Sequence, residues 1–429
     1  MRIAFITAGA AGMYCGSCMR DNTLVGALNK IGHDALLIPT YTPIRTDEDD
    51  SSQKRVFFGG INVFLQQKSW LFRKTPWLLD RLLDYPRLLK WVSRFAVRTP
   101  YSVLGALTVS MLKGEDGFQK KELAKLVAYL RDDVKPDVIL LTNALLSGIL
   151  PALKVALSVP VLVTLQGDDI FLDALPEKDR GACVDLIREN LMFATATIST
   201  SRFYADHMNE YLGIHDVPSH VVYPGINLKG HGEQGRVLPT GGPYRVGYFA
   251  RIAPEKGFHN LVDAFIHLRQ TPGTPKVLLK ASGWLGENNR GYFEQQVKKL
   301  AAAGLTDDFE HVESKDHAAK VRFLQSVDVL SVPTTYREPK GLYVLEAWAN
   351  GLPVVQPAHG SFPELIEMTG AGHLVPPNDP AALAAALVTT LTDAELHQKM
   401  SRLGLDRVRD RFTAERMAKE TVAVLEKYT

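Results

Sequence analysis

The sequence predicts an α/β protein made of two Rossmann-like, doubly wound halves facing a cleft. Short apolar runs bounded by turn residues alternate with amphipathic segments, which is the pattern of βα units in a parallel sheet buried on both faces. The alternation occurs twice, and a glycine- and proline-rich passage without periodicity, 230–243, separates the two series. A length of 429 residues leaves room for two to three domains, each burying its own core.

In the first series, strands are expected at Ile3–Thr7, Ala35–Pro39, Val138–Thr142, Val161–Leu165, Thr197–Ser199 and Val221–Tyr223. In the second they are expected at Arg245–Phe249, Val277–Lys280, Phe309–Val312, Val329–Val332, Val354–Val355 and His373–Val375. Phe258, Leu261, Val262 and Phe265 form a helical stripe between two of these. The resulting division is a first domain over 1–229, a linker over 230–243, a second domain over 244–405, and a helix over 406–429 that crosses back onto the first domain. Near 69–98 the first domain carries an insertion in which Trp70, Phe72, Trp77 and Trp91 alternate with Arg73, Lys74, Arg81 and Lys90. Such a basic amphipathic stretch suits an anionic lipid surface or a lipid-linked acceptor, and equally a helical hairpin packed on the domain.

Composition narrows the function classes. At 46% hydrophobic and 22% charged the chain is an ordinary globular one, and a net charge of +2 gives no bulk reason to expect nucleic acid. Three cysteines are too few for a disulfide scaffold and fit a reducing compartment. The longest uncharged apolar stretch, about Thr99 to Leu112, contains Pro100 and is too short to span a bilayer. No secretion signal precedes the first strand, so a cytoplasmic location is expected, with peripheral contact at the inner membrane face left open by the insertion.

Chemistry concentrates in Arg337-Glu338-Pro339-Lys340-Gly341-Leu342-Tyr343-Val344-Leu345-Glu346. Pro339 biases Glu338 toward an extended conformation, and the apolar run from Gly341 reads as a helix stopped by Gly351 and Pro353. Glu338 then sits just before a helix and Glu346 inside it, with the N–H groups of the helix start between them as a phosphate seat that Gly341 lets approach closely. A loop acid, a phosphate seat and a helical acid form the order a nucleotide-sugar requires. The bland alternative is a buried αβ element with an acidic first turn. Arg251 at a strand end and Lys256 before the next helix place two cations at the sheet edge, suited to a diphosphate and to the charge that develops on a departing nucleoside diphosphate.

The first glycine-rich turn, Gly9-Ala10-Ala11-Gly12-Met13-Tyr14-Cys15-Gly16, is not G-x-G-x-x-G, and Pro39-Thr40-Tyr41 stands where an acid for a ribose would be. A nicotinamide or flavin role is therefore disfavoured. Cys15 and Cys18 form a C-x-x-C with no second cysteine pair to complete a zinc site, so small loop residues are favoured over redox or metal chemistry.

Arg251…Glu255-Lys256-Gly257 together with Glu338-Pro339-Lys340-Gly341-Leu342…Leu345-Glu346-Ala347-Trp348-Ala349-Asn350-Gly351-Leu352-Pro353 and Pro363-Glu364 resembles the retaining, nucleotide-sugar-dependent glycosyltransferases of GT-B fold, family four. Gly32-His33 also fits, and Gly59-Gly60-Ile61-Asn62-Val63 looks somewhat like bacterial glycogen synthases. The strong motifs cover the second half, which the resemblance makes the donor domain, while the first half matches in layout as the acceptor domain. The resemblance implies that Glu338 sits by the donor sugar hydroxyls and reacting face and that Glu346 holds the ribose. Arg251 and Lys256 would grip the diphosphate, joined by backbone N–H groups at Gly341 and Leu342 and by Gly16. It further implies transfer of a hexose to a glycan, lipid or small-molecule acceptor, with no metal and no cofactor beyond the donor. Three places depart from the pattern, one of them Pro224-Gly225-Ile226-Asn227, which stands where Asn-Gly-Val-Asp is common. Lys340 replaces a frequent Phe and joins the substrate-binding set, and Gln166 stands where many relatives carry His, which makes Asp168 the acceptor-side catalytic candidate or a helix cap. A non-catalytic sugar-nucleotide or glycan binder at a membrane surface, and a GT-B epimerase or phosphorylase, remain the competing classes.

Overall fold

Continuous apolar runs in the first half become the parallel strands β1 (Arg2–Thr7), β2 (Asp34–Pro39), β3 (Val138–Leu141), β4 (Val161–Leu165), β5 (Ala196–Ser199) and β6 (Ser219–Val221). They form one sheet in the order β2-β1-β3-β4-β5-β6. The second half gives β7 (Tyr244–Phe249), β8 (Val277–Ser282), β9 (Phe309–Val312), β10 (Val329–Leu330), β11 (Val354–Pro357) and β12 (Gly372–Val375), in the order β12-β11-β10-β7-β8-β9. This computed structural model describes residues 1–9, 15–53, 57, 66–67, 101–314 and 316–429. The amphipathic insertion at 69–98 and the Gly59–Val63 passage lie outside the described residues. No helix among the described residues is long and apolar enough to cross a membrane.

Both sheets are doubly wound. In the second, the chain steps from β7 outward to β8 and β9 and then returns to β10 on the other side of β7, so the loops leaving β7 and β10 diverge from adjacent strands. That reversal is where open α/β sheets form a ligand crevice at the carboxyl ends of their strands. The first sheet reverses in the same way between β1 and β3.

Alternation along each strand of the first sheet feeds two separate cores. Ala4, Ile6, Ile139, Leu141 and Val163 face one side, and Ile3, Phe5, Val138, Leu140 and Leu162 face the other. The second face is closed by the helix Gly16–Lys30 and by the last helix, Ala414–Leu425, which contributes Ala414, Met417, Ala418, Val424 and Leu425 at helical spacing. The chain accordingly divides into Met1–Tyr223 with Ala414–Thr429, and Pro224–Thr413.

Several boundaries differ from those read in the sequence. A single helix over 406–429 is replaced by Ala394–Arg411 and Ala414–Leu425, broken where the Phe412 carbonyl accepts from the Ile226 N–H at 2.9 Å instead of continuing the helical ladder. The passage 230–243 is anchored to the second unit rather than free. Arg236 N–H donates to Ser401 Oγ at 2.7 Å, its guanidinium donates to the carbonyls of Leu324, Gln325 and Val327, and Gly232 N–H donates to Asn350 Oδ1 at 3.2 Å. The division therefore falls between Tyr223 and Pro224 instead of after 229. Strand β6 lies two residues earlier than its apolar run, because an edge strand pairs through backbone on one side only and tolerates Ser219 and His220. Strand β10 is shorter than expected, since the Val332 N–H turns to Gln356 Oε1 at 3.3 Å.

Met417 is fully buried against the first sheet. Met417→Ala is expected to destabilise the first unit by about 2–5 kcal/mol, read as a lowered urea midpoint; an unchanged midpoint contradicts this packing of the last helix.

Candidate active site

Two loops at the reversal of the second sheet build the site. The loop after β7 carries Arg251 and a single 3-10 turn, Pro254–Lys256, and ends at Gly257 with φ +70°. A Cβ at Gly257 would lie 1.7 Å from the Pro333 carbonyl oxygen, so only glycine lets this loop close onto the loop after β10. Backbone pairing follows, with Thr335 N–H donating to the Glu255 carbonyl at 3.0 Å. On the far side, Gly360 (φ +63°) presses against Glu338, where a Cβ would meet the backbone nitrogen at 2.5 Å and the carbonyl oxygen at 2.7 Å. Ser361 N–H donates to that carbonyl at 2.8 Å. Glu338 is thus fixed by backbone from both flanks.

The Glu338 carboxylate is buried at the centre of a polar cluster. Lys256 Nζ lies 2.8 Å from Oε2, which also accepts from the Tyr336 hydroxyl and, at 3.2 Å, from the Tyr343 hydroxyl. Oε1 accepts the backbone N–H groups of Lys340 and Gly341, each at 3.3 Å. The Lys256 ammonium also donates to the Tyr336 hydroxyl and sits 4.8 Å from the centroid of the Tyr336 ring and 5.4 Å from that of Tyr343. Burial by itself pushes the carboxyl up, but the charge and hydrogen bond of Lys256, then the charge of Lys340 and the bond from Tyr336, outweigh it and hold Glu338 at about 2. Both tyrosine hydroxyls are pushed well up, first by burial and then by the Glu338 charge, and stay protonated donors.

The remaining second-half candidates spread outward from this cluster. Arg251 pairs with Glu255 and keeps a third of its side chain exposed. Gly341, at φ +64°, caps the helix Leu342–Ala349, yet its own N–H is turned back to Glu338. The N–H groups of the helix's first turn, from Leu342 on, remain as its positive end. Lys340 is buried beside Glu338. Glu346 belongs to a second buried pair, with Lys320 Nζ 2.7 Å from its Oε1. Sequence reasoning missed Tyr336, Tyr343 and Lys320. Tyr336 just precedes the acid stretch and Tyr343 lies within it, so both are legible as neighbouring aromatics, whereas a lysine in the helix His317–Gln325 gives no local sign of burial.

In the first unit, Gly16 opens the helix Gly16–Lys30 behind Cys15. Cys18 is buried and its thiol is pushed well up, chiefly by its hydrogen bond with Cys15 and by burial, which opposes thiolate chemistry. No group of three His, Cys, Asp or Glu side chains suited to a metal occurs among the described residues. Asp168 spends both oxygens on backbone. Oδ1 accepts from Ala144 N–H at 2.7 Å and Oδ2 from Gln166 N–H at 3.0 Å, joining the turn after β4 to the segment after β3. Gln166 donates to Asp21 at 3.1 and 3.2 Å and to the Thr142 carbonyl at 2.7 Å, and Asp21 pairs with Arg20 at 3.0 Å. These residues set the shape of the carboxyl edge.

Two Rossmann-like parallel sheets with a cationic, carboxylate-centred crevice in the second define a protein of GT-B fold. Residues 234–406 match the family described as Glycosyl transferases group 1, and residues 111–229 match Glycosyltransferase Family 4. Each half of the chain is thus similar to a glycosyltransferase family in its own right. It is similar to a glycogen synthase of Mycobacterium tuberculosis, 31% identical over 43% of this chain and 43% of the relative. It is also similar to a phosphatidyl-myo-inositol mannosyltransferase of Mycobacterium leprae, 30% identical over 36% of this chain and 39% of the relative. The match thus spans about two fifths of these relatives' length. Sucrose-phosphate synthase from Thermosynechococcus elongatus shares the fold with a TM-score of 0.72 at 18% identity, covering 100% of this chain and 99% of that one. The Anabaena protein HepE, solved with UDP and glucose, shares it with a TM-score of 0.68 at 17% identity over 100% of both chains.

The depressed Glu338 carboxyl makes stability depend on pH in one direction. A carboxyl lower in the folded state than its ordinary 4.5 contributes stability that is fully present above pH 4.5 and is lost as pH falls toward about 2. Glu338→Gln is expected to lower the melting temperature at neutral pH and to flatten the acid limb between those values. Parallel acid limbs for the two proteins would show that Glu338 is not held low.

Proposed function

We propose that this chain is a retaining glycosyltransferase that moves a hexose from a nucleoside-diphosphate sugar to a hydroxyl of a glycan, lipid or small-molecule acceptor, without a metal. The observation that carries the reading is the Lys256–Glu338 pair held between the two loops at the sheet reversal. A diphosphate entering this crevice competes with Glu255 and Glu338 for Arg251 and Lys256. Those cations, with the first turn of the helix Leu342–Ala349, stabilise the negative charge that builds on the leaving nucleoside diphosphate. As Lys256 turns from Glu338 to the diphosphate, the Glu338 Oε2 position it leaves accepts a hydroxyl of the donor sugar, and Glu346 accepts from the ribose. The bond from the anomeric carbon to the phosphate oxygen breaks, the acceptor oxygen bonds to the same face, and its proton passes to the departing phosphate oxygen.

UDP-glucose is the first donor to test, since UDP and glucose occupy HepE in its crystal structure. Acceptor-dependent release of nucleoside diphosphate is the assay. Glu338→Ala and Lys256→Ala are each expected to lower kcat/KM by about tenfold to a hundredfold or more, the scale of a lost charged hydrogen bond. Equal turnover by wild type and Glu338→Ala would sink the site assignment. Nucleotide binding without product across a broad acceptor panel would favour the non-catalytic binder instead.

A further inference from the structure

The first unit contains a cluster of titratable side chains that the reaction above does not use. The helix Arg202–Leu212 leaves the carboxyl end of β5, with Ser201 capping it through a bond from Tyr204 N–H at 3.1 Å. Asp169 lies in the turn that leaves the carboxyl end of β4. Both therefore stand at the edge where open α/β sheets hold ligands.

Hydrogen bonds order the donors and acceptors of the cluster. The Tyr204 hydroxyl accepts from Gly167 N–H at 2.7 Å and Asp168 N–H at 2.9 Å, which uses both of its lone pairs. Its single proton goes to Asp169 Oδ1 at 2.6 Å. Burial first, and then the charges of Asp168 and Asp169, push that phenol well up, so the proton stays. Asp169 Oδ2 remains, 3.2 Å from His207 Nε2. A carboxylate can only accept, so His207 donates from Nε2, and in the neutral form of the ring Nδ1 is a bare lone pair. Nδ1 has no partner among the described residues, and the His207 side chain keeps 19% of its surface exposed. Phe203 stacks on the ring at 5.7 Å and 8°, and Tyr211 lies at 6.0 Å and 43°. The three rings fall at successive fourth positions of one helix face, all partly exposed. At their end, the Tyr211 hydroxyl donates to Asp173 Oδ1 at 2.9 Å, with Arg180 3.9 Å from that carboxylate.

We propose that this face, centred on His207, binds a neutral polyol ring, a sugar or a cyclitol. His207 Nδ1 accepts a hydrogen bond from a ring hydroxyl, Phe203 and Tyr211 pack against C–H groups, and Asp173 and Arg180 rim the site. Naming that ring the acceptor rests on the transferase reading; the binding site itself does not.

The test uses the full chain with 15N-labelled histidine. Long-range 1H–15N spectra, with His207 assigned by the signal missing in His207→Gln, report its tautomer. Methyl α-glucopyranoside, methyl α-mannopyranoside and myo-inositol are titrated separately, which distinguishes sugar from cyclitol, with glycerol as a control. The expected result is an Nε2–H tautomer whose Nδ1 signal moves saturably with at least one ring and not with glycerol. Phe203→Ala is expected to weaken that Kd by about twofold to tenfold. An Nδ1–H tautomer, or no saturable shift with any ring up to its solubility limit, overturns the proposal. Thermal stabilisation by UDP, measured on the same samples, reports the donor site separately. Loss of the UDP response with the polyol response retained sinks the transferase reading alone, and the reverse sinks the polyol site alone.

Discussion

Lys256 and Glu338 come from loops far apart in the chain, and their pairing ties those loops together at the reversal of the second sheet. Taking a carboxylate and an ammonium out of water costs several kcal/mol each, and their mutual attraction alone does not guarantee its return. Here the remaining valences are filled as well. Two tyrosine hydroxyls and two backbone N–H groups point at the carboxylate, and two aromatic faces lie beside the ammonium. The acid is therefore ionised and immobile, a fixed acceptor beside fixed cations. Such preorganisation is what charge stabilisation in a transition state requires, because no reorganisation is left for the moment of reaction.

Backbone sterics make that meeting possible. Gly257 and Gly360 each occupy the left-handed region at a place where a side chain would collide with a carbonyl or a backbone nitrogen of the loop after β10. The strand order does the rest, because adjacent strands whose connections run in opposite directions must send their loops apart at the carboxyl edge. The Glu346–Lys320 pair joins the helix Leu342–Ala349 to the helix His317–Gln325 and again sets a buried acid beside a cation. Two acids that look equivalent in sequence thus sit in different surroundings, one crowded by phenols and one beside the Lys320 ammonium.

Where the chain departs from the glycosyltransferase pattern it resembles, the structure supplies a local reason. Gln166 is no acid or base, but its amide joins Asp21 to the Thr142 carbonyl and so ties the ends of three elements together. Asp168, the sequence's acceptor-side candidate, has both oxygens on backbone N–H groups and acts as a brace for the turn that presents Asp169. Lys340 adds a cation next to Glu338, where the frequent aromatic would have offered only bulk.

Strands and helices were legible along the chain because parallel strands buried on both faces are uninterrupted apolar runs, and because Gly257, Gly341 and Gly351 punctuate the elements around the site. The acids and cations of the second half were legible for a related reason, since Arg251, Lys256, Glu338 and Glu346 stand at fixed offsets from those punctuation marks. Local pattern by itself therefore determined the succession of strands and helices and the residue types at the strand ends, while the strand order that places the reversal came from the fold. Local pattern did not determine partners. That Lys320 would be buried on Glu346, that Asp168 would reach Ala144, and that Ile226 would bond Phe412 where the last helix breaks are contacts between distant segments. Only tertiary packing decides such contacts, because the cost of burying a polar group depends on which other group arrives to meet it.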